Sequence, residues 1–109
     1  MRELLNRLLR HKEWADATLL GAIRGHDAAA KDAELHRLLH HTILANRFWL
    51  ALISARPFAL EEESRIPESL DAIVARYRDT YLQEIQWSAR LDEAESPKKR
   101  RRKADVVDA

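Results

Sequence analysis

The chain contains no cysteine, only two glycines and three prolines, and seven aromatic residues among 109. Without cysteine there is no disulfide framework, no thiolate metal site and no thiol nucleophile. Scarce glycine and proline, beside abundant Leu, Ala, Arg and Glu, argue for an all-α chain. No uncharged run approaches the roughly 20 residues of a membrane span. The opening Met1-Arg2-Glu3 lacks the apolar stretch of a signal peptide. The expectations are therefore a cytoplasmic protein and no membrane partner. The length suits one domain with a modest core.

The formal net charge of +1 hides an asymmetry. Residues 1–95 carry 13 Lys/Arg and 16 Asp/Glu, a balance of −3; residues 96–109 carry 6 and 2, a balance of +4. Only the tail could attract a polyanion. No aromatic is interleaved with Lys98 to Lys103, so base stacking has no support and nucleic acid is not an expected partner. Six like charges in a row with little to bury predict a disordered basic tail over 96–109, which leaves 1–95 as the folded domain.

Three long helices are predicted. The first spans about Arg2 to Arg24, with Leu4, Leu8, His11, Ala15, Leu19 and Ala22 on one stripe and Leu5, Leu9, Leu20 and Ile23 beside it. Gly25 is placed to end it in a left-handed conformation. Asp32 is the expected N-cap of the second helix, which reaches about Ala55 before Pro57 stops it. Residues 56–65, with Glu61-Glu62-Glu63, read as an exposed, solubilising connection. Pro67 suits the first turn of a third helix carrying Leu70, Ile73, Val74, Tyr77, Tyr81, Ile85 and Leu91 and ending near Ala94. The expected architecture is an up-and-down helical bundle. Three wide apolar stripes leave a face uncovered, and a partner chain resolves such a face.

Histidine is the remaining chemistry-bearing type. His36 and His40, four apart, share one side of the second helix and could chelate a divalent ion; a solvated helix face is the plainer account of them. His41 shares its side with Leu38, Ala45, Phe48 and Leu52, which directs it to the expected interior, where bundle metal sites are built. A core histidine bonded to a carbonyl is the plainer account there. His11 reads as a boundary residue of the first stripe and His26 as a linker residue, while Trp14, Trp49, Tyr77 and Tyr81 read as core.

The run from Glu34 to His40, followed by His41-Thr-Ile-Leu-Ala-Asn-Arg-Phe-Trp49-Leu50, resembles the second-helix motif of the DinB family, with its histidine and a tryptophan eight residues later. Trp14-Ala15 through Leu19-Leu20 is similar to that family's first helix, and residues 68–94 to its third. The resemblance implies a four-helix bundle, often dimeric, in which a divalent ion (nickel, zinc or iron) is held by three histidines. One of these comes from the second helix and two from a His-x-x-x-His on the last; activities in the family include thiol transfer and hydrolysis. Carried over, the resemblance makes His41 the one matching metal ligand, with His36, His40 and His11 as weaker candidates. No histidine follows His41. The abrupt change at Ser96 is what a truncated or shifted reading frame produces.

Two functions follow as expectations. One is a DinB-like divalent-metal-binding protein lacking part of its site. The other is a non-catalytic helical dimerisation module whose exposed stripe pairs with a second copy, a homodimer.

Overall fold

The computed structural model describes the backbone of residues 2–108 and the side chains of residues 2–91. The fold is an all-α bundle of three long helices and two single-turn ones. α1 spans Arg2–Arg24, α2 Asp27–Ala30, α3 Ala33–Ile53, α4 Leu60–Glu63 and α5 Leu70–Asp108. α5 continues past the end expected near Ala94. The side chains from Asp92 onward, and with them the basic tail expected to be disordered, lie outside the described residues.

Local chemistry accounts for the helix ends. Asp32 accepts the Leu35 amide at 2.8 Å, the expected N-cap of α3. The stretch after α1 is more ordered than a plain linker, because His26 Nδ1 accepts the Ala29 amide at 3.2 Å and caps α2. Gly25 does not take the left-handed conformation expected of it; its amide simply completes a helical bond to the Gly21 carbonyl at 3.0 Å. The left-handed residue is Ala55, at φ 55°. The Ala55 and Arg56 amides return to the Leu52 and Ala51 carbonyls at 3.3 and 2.9 Å, a Schellman closure of α3. Pro67 precedes α5 rather than opening it. Ser69 is the cap, its Oγ accepting the Ala72 amide at 3.1 Å.

Cross-helix bonds set the directions. Asn6 meets Ser88, Lys12 meets Glu84 and Arg24 meets Asp71, so α1 and α5 are antiparallel. Leu39 meets Tyr77 and Asn46 meets Glu84, so α3 and α5 are parallel. The path is thus up, down, down, and the connection between α3 and α5 travels back along α3. α5 packs against both neighbours, whereas α1 and α3 scarcely meet.

The apolar core gathers at one end, where Leu20, Ile23, Leu39, Ile43, Leu70, Ile73 and Tyr77 pack with Ala29, Ala30, Leu35 and Val74. Further along α5 the inward row turns polar at Thr80, Glu84 and Ser88, all buried, while Tyr81 and Ile85 are half-buried and Leu91 is exposed. The α1 stripe is also rotated from its expected phase. Leu9, Leu20 and Ile23 are buried and Leu4, Leu8 and Leu19 exposed, because α1 is apolar over more than the one face α5 can cover. Trp14 and Trp49, expected in the core, are exposed.

An alanine at φ 55° carries a steric cost that glycine lacks. Ala55→Gly is expected to stabilise the fold by about 1 kcal/mol and raise the thermal midpoint by several degrees. Circular dichroism melting checks this, and an unchanged or lower midpoint contradicts it.

Candidate functional site: the histidines and the polar seam

Helical geometry separates the α3 histidines. His36 Nε2 donates to the Ala30 carbonyl at 2.7 Å and so completes the α2–α3 turn. His40 is 3% exposed, and its Nε2 donates to the Ser64 carbonyl at 3.3 Å. Each ring serves a different carbonyl, so the chelating His36/His40 pair is not formed. The inward-facing member of the trio is His40, not His41. His41 is exposed, as are Leu38, Ala45, Phe48 and Leu52 on its side. That side faces away from α5, because α3 is apolar nearly all round and α5 claims the side of Leu39, Ile43 and Leu50. His11 is exposed too, its ring 5.7 Å from that of Trp14.

His40 and His41 do line one cleft of about 330 Å³, with Arg37, Leu44, Ser64 and Ile66. The Ser64 carbonyl requires the proton on His40 Nε2. The lone-pair nitrogen Nδ1 is then buried without a partner among the described residues. Burial, followed by the nearby Arg76 guanidinium, holds the His40 pKa below its ordinary value.

Charge concentrates where the connection crosses α3 and α5. Glu63 receives Arg47 Nε and Nη2 at 2.7 and 3.1 Å and also pairs with Arg76. Arg47 continues to Asp79 and to the Thr80 hydroxyl, each at 3.0 Å. The Arg47 hydrogen bonds hold the Glu63 carboxyl below its ordinary pKa against the opposing effect of burial. The acidic run is therefore not uniform. Glu61 and Glu62 are exposed, but Glu63 is half-buried and clamps the connection to the bundle. Deeper in, Glu84 takes Lys12 Nζ at 3.1 Å and Asn46 Nδ2 at 3.2 Å, and the Ser88 hydroxyl donates to Asn6 at 2.5 Å. Tyr77 donates to the Leu39 carbonyl at 2.8 Å, and burial pushes its pKa up to about 12.

These groups are mostly consumed in holding helices together. Among the described residues no group of three or more His, Asp or Glu is placed to hold a metal ion, and no helix is long and apolar enough to cross a membrane. The histidines expected to act together are divided between two carbonyls, an open face and α1. Sequence reading took Glu63 for a solubilising acid and assigned no role to Glu84, Arg47 or Arg76. The 3–4 spacing of Ile73, Tyr77, Thr80, Glu84 and Ser88 was the available signal for the inward row. No protein-family model matches this sequence, and neither a curated protein nor a solved structure matches it.

Acid should weaken the fold in two stages. His40 is held neutral in the folded state, so its contribution is whole above the unfolded pKa of about 6.5 and declines as pH falls towards the lower folded value. Glu63 contributes above its unfolded value of about 4.3 and is lost as pH falls through its depressed folded value. Urea midpoints measured against pH should show both stages. His40→Gln should flatten the first and Glu63→Gln the second, and a midpoint level from pH 7 to pH 5 in the parent chain contradicts the His40 account.

Proposed function

We propose that this chain is a non-catalytic helical dimerisation module that pairs with a second copy through the open side of α1 and α3. One observation carries the reading. Leu4, Leu8, His11, Ala15, Thr18, Leu19 and Ala22 on α1, and Leu38, His41, Thr42, Ala45, Phe48, Trp49, Leu52 and Ile53 on α3, are all exposed, and none is Asp, Glu, Lys or Arg. Soluble surfaces seldom leave two such stripes bare.

The area supports a second copy as the occupant. Leu4, Leu8, Leu19, Leu38, Phe48, Trp49, Leu52 and Ile53 are each 44–60% exposed. Together they offer on the order of 900 Å² per chain, close to what each partner of a standard interface buries. A two-fold pairing meets the same uncharged surface on both sides, so no charge is stranded. Sedimentation at about 50 μM, well above the dissociation constants usual for such an area, should show a dimer. Leu8→Glu with Leu52→Glu should yield a folded monomer. A strict monomer in the parent chain removes the reading.

A second, DinB-like reading rests on the motif around His41, although that residue is exposed rather than inward. It stands on that open face without a hydrogen-bond partner among the described residues, so whatever covers the face could add ligands for a divalent ion such as nickel, zinc or iron. The described residues supply one imidazole there, which does not fix an ion, and no catalytic step is derived from it. The hydrolase or thiol-transferase activity that the resemblance implies depends on such an ion. After incubation with nickel or zinc and desalting, retained metal that His41→Ala abolishes supports this reading. Less than about a tenth of an equivalent per chain removes it, since a protein ligand set that fixes an ion retains it.

A further inference from the structure

We propose that the cleft where α1, α3 and α5 converge is a binding site for a small organic ammonium cation, a role beyond self-pairing. The cleft has a volume of about 120 Å³ and is lined by Leu9, Asn46, Trp49, Ile53, Glu84 and Trp87. Two of the three tryptophans in the chain stand at its walls. An indole face attracts a cation through its quadrupole, most strongly where water is displaced.

The carboxylate supplies the charge. Glu84 is 7% exposed, and acids are seldom so buried unless paired; the one cation it pairs with is shared. Lys12 divides its single charge between Glu84 at 3.1 Å and Asp16 at 3.5 Å. The three groups sum to −1, and the second Glu84 oxygen is held only by the neutral amide of Asn46 at 3.2 Å. A desolvated carboxylate short of positive charge, beside two indoles and the apolar Leu9 and Ile53, matches a cation with an alkyl coat. A strongly hydrated metal ion, which wants several oxygen ligands, has no such set here.

Trp14 is exposed and lies outside the cleft, so Trp14→Phe leaves only the two cleft indoles as fluorescent reporters. In that background, choline titrated at constant ionic strength to about 10 mM, a range suited to millimolar affinity, should change the emission saturably. Its uncharged isostere 3,3-dimethylbutan-1-ol should not. Glu84→Gln should weaken the response at least about tenfold, the scale on which a lost charge partner is felt. Should that variant fail to fold by circular dichroism, Trp87→Leu is the second test and should abolish saturation. No saturable response, an equal response to the alcohol, or choline binding that survives the folded variant overturns the proposal. Trp49 and Ile53 belong to both the cleft and the pairing face, so the titration is read on the folded Leu8→Glu/Leu52→Glu monomer, where either idea can fail alone.

Discussion

α5 is the wall that α1 and α3 share. Ile73 and Tyr77 take Leu20 and Ile23 from one neighbour and Leu39 and Ile43 from the other, while those neighbours barely touch. Large-to-small changes at such positions cost about 2–5 kcal/mol, a sizeable part of the stability of a domain this small. The Tyr77 hydroxyl adds register by reaching the Leu39 carbonyl. Because one helix serves two partners, apolar surface turned away from it on α1 and α3 goes uncovered.

The same arrangement explains the polar half of the interior. Past Tyr77 the α5 row meets Asn6, Lys12, Asn46 and Arg47, and each buried polar group of α5 finds a partner there. A parallel α3–α5 pair needs a connection running the length of α3, and Glu63 with His40 fastens that connection at two points. Chemistry that looks catalytic in composition, acids and imidazoles and guanidinia, is thereby used for assembly. What stays open is the uncharged face and the cleft lined in part by Trp49 and Trp87.

Much of the helical framework was legible in advance. The span of α1, the Asp32 cap and the stop before Pro57 follow from short-range rules of periodicity, capping and proline sterics, which neighbouring residues decide. The phase of each stripe was harder to read. α1 and α3 are apolar over so much of their circumference that periodicity allows several inward faces, and it selected Leu4 and Leu8 where Leu9 is buried and His41 where His40 is. The expectation of an uncovered face, by contrast, needed only the width of the stripes.

By itself the sequence determined an all-helical chain, where its first two long helices begin and stop, and more apolar surface than three helices can hide. Only the tertiary structure decided which imidazole is buried, that Glu63 is a clamp rather than a solubilising acid, and that Glu84 is buried in a cleft that two tryptophans also line. The reason is range. Helix formation is settled by residues a few positions apart, whereas the surroundings of His40, Glu63 and Glu84 come from partners 13 to 72 positions away, brought together by helix directions that local pattern does not encode.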